Sequence, residues 1–120
     1  ELVDTLINLC KNYIKIKDLP KCKETLEELD LRLDRNNIKS IIEVNLLKHR
    51  ILTIEEKTEE AKDILVSTYN MAKEFNLNEE ASNLAIAIAK FYLDKREDDL
   101  AKKYLDEGVE IFKKMGKLQN

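Results

Sequence analysis

The side chains best suited to nucleophilic, acid–base or metal chemistry near neutral pH are Cys10, Cys22 and His49. The two cysteines lie twelve residues apart, with no further cysteine or histidine clustered near them. We interpret them as two reduced, small core residues of an intracellular protein, because cytosolic proteins keep their thiols reduced. A disulfide between them is the alternative.

His49 lacks the neighbours that a catalytic or metal-binding histidine needs. A general base acts beside a nucleophile or an orienting carboxylate, and a metal site needs further ligands. Residues 43–50 form no recognisable triad or ligand spacing. We interpret His49 as a partly buried packing residue, with ligand contact or pH sensing as the alternative. Because Gly108 and Gly116 are the only glycines, a glycine-rich phosphate loop is also missing. We therefore predict no enzyme activity, no metal and no cofactor.

The composition is typical of one helical domain. The chain has 120 residues, of which 43% are hydrophobic and 38% charged, with two glycines and one proline. That length suffices for one core but not for two. The formal net charge of −3 argues against nucleic-acid binding by this segment, which would need a basic surface. No apolar run is long enough to span a membrane, so we expect a cytoplasmic protein.

Apolar residues recur at helical spacing along the whole chain. The pattern predicts six helices, separated by polar or proline-containing breaks. Their approximate ranges are 1–16, 20–34, 38–54, 58–75, 81–93 and 100–115. Asn36 or Asn37 is available to cap the third helix, and Gly116 stands where the last helix would end.

The last two helices should form a closely packed hairpin. Small residues lie where the two helices would touch, namely Ala85 and Ala89 on the first and Ala101 and Gly108 on the second. Small side chains let two helix backbones approach each other closely. We therefore expect direct helix–helix contact along this pair.

The sequence also repeats itself with a period of 39–40 residues. A shift of 39 places Cys22 and Leu26 on Ala61 and Leu65, and a further shift of 40 places these on Ala101 and Leu105. Three successive helical hairpins account for this periodicity. A six-helix bundle with accidental spacing is the alternative.

The third unit resembles a tetratricopeptide repeat. That family's first helix asks for a bulky residue, a Leu, a small residue and an aromatic; its second asks for Ala, a large apolar residue and Ala. In this unit Ile88, Ala89 and Tyr92 match the first helix, although Ala85 replaces the bulky residue, and the second helix offers Ala101, Leu105 and Gly108. The first unit fits comparably through Leu6, Leu9, Cys10, Tyr13, Cys22, Leu26 and Leu29. The second unit departs from the pattern with Asn45, Lys48 and His49.

The resemblance implies a concave surface lined by the first helix of each hairpin. Its groove positions fall on a basic row of Lys11, Arg50 and Lys90 beside an aliphatic row of Ile7, Leu46 and Ile86. Asn83 would hold peptide backbone, since one amide both donates and accepts. Such a groove suits a peptide with carboxylates and apolar anchors. The alternative is that each base is a solvated helix residue beside a carboxylate.

The last helix carries more apolar residues than one neighbouring helix can cover. These are Val109, Ile111, Phe112, Met115 and Leu118, and we assign Val109, Phe112 and Met115 to an interface. A solenoid leaves such a flank open at its end. We expect these residues to contact a second copy of the chain or the rest of a longer protein.

We therefore predict an all-α, right-handed α-α superhelix of three tetratricopeptide-like hairpins. It would form one domain over residues 1–120, with units of about 1–36, 37–76 and 77–116. Because the chain begins without Met in a helix, we expect a fragment of a longer protein. Long units of this kind are similar to those of bacterial transcriptional regulators. The resemblance thus implies a peptide- or protein-binding module of such a regulator. An oligomerisation or scaffold domain without a separate ligand is the alternative.

Overall fold

The protein is all-α, as predicted. A computed structural model describes the backbone of residues 2–119 and the side chains of residues 2–116, and these residues form six helices and no strand. The helices are α1 (Leu2–Lys15), α2 (Leu19–Arg32), α3 (Ile38–Ile54), α4 (Thr58–Glu74), α5 (Asn78–Asp94) and α6 (Asp98–Gln119).

Most helix limits follow the sequence signals, and α6 differs most. α3 has the predicted limits, and the Asn37 side chain caps it by accepting from the Ser40 backbone N–H at 3.3 Å. The prediction that a helix ends at Gly116 is wrong, because α6 continues to Gln119. No glycine has a positive φ, so Gly116 does not supply the left-handed turn that ends many helices. The predicted start of α1 at Glu1 lies outside the described residues.

Four of the five connections are the same three-residue turn. Each has a central residue in the left-handed region, with φ near 60° at Lys17, Glu56, Asn76 and Arg96. In each, the third residue's N–H bonds to the carbonyl five positions back, for example Asp18 N–H to the Tyr13 carbonyl at 2.9 Å. This is the Schellman helix end, which normally prefers glycine. The turns at 17, 56 and 96 are spaced by 39 and 40 residues, and the fourth, at 76, lies 20 residues from each of the last two.

The chain divides into two compact units, Glu1–Ala61 and Lys62–Asn120. The first unit is built on α1, α2 and α3. Its core is a cluster of apolar side chains from these three helices, with Leu29 and both cysteines fully buried. Ion pairs join α2 to α3 at two levels, Lys23 with Glu55 and Lys48 with Asp30 at 3.0 Å. α3 thus runs antiparallel to α2.

The second unit contains α5, α6 and α4 from Lys62 onward. α5 and α6 touch closely through small residues, as predicted. A Cβ atom built on Gly108 would lie 3.3 Å from the Ala85 Cβ and 3.5 Å from the Ser82 carbonyl oxygen. Ala89 and Ala101 are also buried. Only a residue without a side chain fits at position 108 without displacing its neighbours.

α4 contacts α6 within the second unit. The Tyr69 and Tyr104 rings lie 5.8 Å apart, and the Tyr69 hydroxyl donates to Glu107 at 2.5 Å. Lys73, one turn further along α4, lies 3.7 Å from the same carboxylate. The contacts advance in the same direction along both helices, so α4 and α6 run parallel. None of the helices formed by residues 2–119 combines the length and apolar character that crossing a bilayer requires.

Candidate functional site

Lys11 and Arg50 are exposed on neighbouring helices of the first unit. Lys11 lies on α1 and Arg50 on α3, and these two helices contact each other. Neither side chain forms an ion pair with any residue whose side chain the structure describes. The two bases are therefore open to an external carboxylate, and their exposure equally fits the alternative of solvated helix residues.

Ile7 does not line an open groove, and that prediction needs correction. Its side chain is only 2% exposed and belongs to the core of the first unit. α1 is covered by both α2 and α3, so the position one turn before Lys11 faces inward. Leu46 on α3 is half-buried. Of the predicted aliphatic row in this unit, Leu46 is therefore partly accessible to a ligand, whereas Ile7 is not.

The predicted groove residues of the second unit all lie on α5. Lys90 and Asn83 are exposed, and Ile86 is half-buried. Lys90 also forms no ion pair among the described side chains. Asn83 and Lys90 are seven residues apart, two helical turns, so they share one face of α5. That face can present an amide and a cation together.

Cys10 and Cys22 lie side by side in the core between α1 and α2, both unbonded. Each Sγ lies 3.9 Å from the other residue's carbonyl oxygen. Burial, with a smaller effect of Cys22, raises the pKa of the Cys10 thiol to about 11, while Arg50 opposes the rise. Burial also raises the pKa of Cys22. The thiols are therefore protonated near neutral pH and are poor nucleophiles.

His49 is half-buried, as predicted, and is held by the backbone. Its Nδ1 lies 3.1 Å from the Ala61 carbonyl oxygen. Because a carbonyl only accepts, Nδ1 must carry the proton and donate. The ring thus ties α3 to the first turn of α4. This contact satisfies the histidine without any catalytic partner.

A polar cluster around Tyr69 was not predicted from the sequence. Burial first, and then the hydrogen bond to Glu107, raises the pKa of the Tyr69 hydroxyl. The Lys73 ammonium lies 4.4 Å from the centre of the Tyr69 ring. Beside this cluster is a shallow pocket of about 310 Å³ that Ile111 and Lys114 also line. Tyr69 and Glu107 are 38 residues apart, and no local sequence pattern links them.

α6 carries an exposed apolar stripe, which we define as Leu105, Val109 and Phe112. Their side chains are 38%, 50% and 54% exposed, although all three are large and apolar. Their spacing of four and three residues places them on one face of the helix. Met115, predicted with them, is half-buried and lies beside the stripe. Two of the three predicted interface residues, Val109 and Phe112, are therefore open to a partner.

Among the described residues, no group of three or more His, Cys, Asp or Glu side chains could hold a metal ion. Comparison with known proteins adds no family. The chain matches no model of a protein family, and neither a curated protein nor a solved structure shows significant similarity to it.

Proposed function

We propose that the chain is a tetratricopeptide-like binding module that takes an acidic peptide or protein segment, as the partner-binding part of a bacterial transcriptional regulator. The observation that carries the binding surface is the exposure of Lys11 and Arg50 on two contacting helices, without an ion pair among the described side chains. Unpaired cations attract carboxylates without first breaking an internal ion pair.

The repeat architecture rests on contacts between equivalent helices. α1 and α3, the first helices of consecutive hairpins, contact each other. α4 and α6, the second helices of consecutive hairpins, run parallel through Tyr69 and Tyr104. Stacked hairpins make these two kinds of contact. The recurring turns at Lys17, Glu56 and Arg96 agree with the same arrangement.

A binding measurement with charge reversal tests this function. The probe is a fluorescent peptide of alternating glutamate and leucine, and the readout is fluorescence anisotropy. Lys11→Glu with Arg50→Glu should abolish binding and leave helicity unchanged. The matched control is Arg32→Glu with Lys103→Glu, which changes the net charge equally on second helices. Equal loss in both double variants would mean that the peptide responds only to net charge, and the proposed surface would be rejected.

Assembly is a second candidate function, and the exposed apolar stripe on α6 favours it. Monomeric proteins rarely expose contiguous large apolar side chains without an interaction partner. Phe112 is the largest and most exposed of the three. Phe112→Glu should convert the assembly to monomers. If it does, and the charge-reversal double variant described above still binds the peptide as the wild type does, assembly replaces peptide binding as the main function.

A further inference from the structure

Building on the assembly function proposed above, we infer that the apolar stripe of α6 docks against the same stripe of a second copy, with the two α6 helices antiparallel. Three features of α6 point to this partner: the stripe itself, the charges along one flank of it, and the exposed glycine at its end.

The charges beside the stripe are self-complementary. Asp106 and Lys113 lie on the same flank, seven residues apart, and both are exposed. Within α6, Asp106 pairs with Lys102 at 2.9 Å and Lys113 with Glu110 at 3.8 Å; these exposed pairs are weak and can be exchanged for a contact with a second copy. The opposite flank turns toward α5 through Ala101 and Gly108, which are buried. In a two-fold antiparallel pair the same flank of each helix meets its copy. Asp106 of each copy then meets Lys113 of the other, and every dimer contains this pair twice.

The alternative orientations lack that complementarity. A shift of the antiparallel pair by one heptad in one direction brings Asp106 next to its own copy, although Lys113 then meets Asp99. A shift in the other direction brings Lys113 next to its own copy, so each shift places one pair of like charges together. In a parallel pair the charged flank of one helix meets the flank that faces α5, so it finds no charged partner. Antiparallel helices also align their dipoles favourably. The charges therefore favour the antiparallel orientation, and the proposed register is the one that avoids a like-charge contact.

The absence of a side chain at Gly116 favours the same register on steric grounds. The position is exposed within α6, and a Cβ atom built there would meet nothing within 4 Å. It continues the face of Leu105, Val109 and Phe112 by one turn. When Asp106 pairs with Lys113 of the second copy, Val109 faces Phe112 and Leu105 faces Gly116. The glycine leaves room for the leucine, although glycine inside a helix lowers helix stability.

The first test is the oligomeric state of the 120-residue chain by light scattering and analytical ultracentrifugation. We expect a concentration-dependent dimer that Phe112→Glu converts to a monomer of unchanged helicity. Asp106→Lys and Lys113→Asp should each weaken the dimer about tenfold, since each reversal affects two pairs. The charge swap that combines both substitutions should restore it. Lys114→Asp, on the face away from the stripe, is the matched control and should leave the dimer intact.

Crosslinking tests the register directly. A Leu105→Cys chain mixed with a Gly116→Cys chain should form a crosslinked pair with a short bis-maleimide. Either variant alone should not, because the two copies of each position would lie about 16 Å apart along the helix axis. The native thiols are fully buried, so the introduced cysteines react first.

The outcomes separate the register from the assembly. A dimer that the charge swap fails to restore, or that crosslinks through Leu105→Cys alone, overturns the antiparallel register and leaves assembly through α6 standing. A chain that stays monomeric at all concentrations overturns both, while peptide binding keeps its own test.

Discussion

The first hairpin and the last hairpin join their two helices in different ways. Between α1 and α2 the contact is made by larger side chains such as Ile7, Leu26 and Leu29, together with the two thiols. Between α5 and α6 it is made by Ala85 and Gly108, with almost no side chain at the closest approach.

This difference determines which large apolar side chains remain exposed. α2 buries Leu26 and Leu29 in the core and leaves Leu31 as its one strongly exposed leucine, surrounded by charged residues. α6 meets α5 mainly through small residues, so Leu105, Val109 and Phe112 remain exposed. Close packing through small residues therefore frees large apolar residues for a partner. The predictions below test this contrast from the largest expected effect to the smallest.

The largest effect should come from the core of the first hairpin. Leu29→Ala removes a fully buried side chain, and we expect the free energy of unfolding to fall by about 2–5 kcal/mol. The control is Leu31→Ala, the same change at a residue that is 84% exposed, which should alter stability by less than about 0.5 kcal/mol. Urea unfolding followed by circular dichroism measures both. Similar losses would mean that the core lies elsewhere.

The last hairpin should instead fail when a side chain is added. Gly108→Leu forces atoms into the 3.3 Å gap to Ala85, and we expect a loss of about 1–3 kcal/mol in unfolding free energy. Gly116→Leu introduces the same side chain where a Cβ meets no atom of its own chain within 4 Å, so no loss is expected at concentrations where the chain is a monomer. Thermal unfolding of both variants decides this. A tolerated Gly108→Leu would contradict the close approach of α5 and α6.

The Tyr69 hydroxyl should make the unfolding free energy depend on pH in alkaline solution. Tyr69→Phe removes its hydrogen bond to Glu107 and should cost about 0.5–1.5 kcal/mol near neutral pH. The folded state raises the pKa of Tyr69 and so disfavours the charged form. Stability from this group is thus fully present below about pH 10, the ordinary tyrosine pKa, and is lost as the pH rises above it.

Chemical unfolding at a series of pH values compares the two chains. Stability of the wild-type chain should fall above about pH 10 more steeply than that of Tyr69→Phe. The Cys10 thiol, whose pKa is raised to about 11, contributes a loss above about pH 9 in both chains and cancels in the difference. Parallel curves would mean that Tyr69 is not buried as described.

The smallest effect should be equal in the two hairpins, because their turns are alike. Lys17 and Arg96 both have φ near 60°, a conformation that costs residues other than glycine about 1 kcal/mol. Lys17→Gly and Arg96→Gly should therefore each stabilise the protein, by up to about 1 kcal/mol, and by similar amounts. Lys15→Gly, inside α1, should destabilise it instead. Differential scanning calorimetry resolves these shifts. Unequal gains would mean that the two turns differ.

The sequence was sufficient where a local signal sets the structure. The limits of α3 followed from Asn37, whose amide caps the helix. α5 was predicted to begin at Ala81 but begins at Asn78. The polar residues 78–80 suggested a loop, whereas the acidic pair Glu79 and Glu80 favours the first turn of a helix.

Local patterns could not decide which side of a wide apolar surface is covered. On α6 the apolar residues span two adjacent faces, and the contact with Ala85 determines that the face of Gly108 is inward. The same uncertainty led to the wrong prediction that Ile7 of α1 lines a groove, although α2 and α3 together bury it. The bases of the candidate groove were correctly expected at the surface, since a long charged side chain avoids burial without a partner. Their common role in binding stays a prediction.

The three-residue turns have a consequence for how the chain acquires its structure. Each turn places a helix directly after the helix that precedes it, so α1 meets α2 and α5 meets α6 across only a few residues of intervening chain. Contacts between residues close in sequence can form without a long loop having to close first, and helical proteins of this kind fold in microseconds to milliseconds. The α1–α2 pair can therefore form during synthesis before α3 adds its part of the core, and the α5–α6 pair can form as soon as α6 has been made.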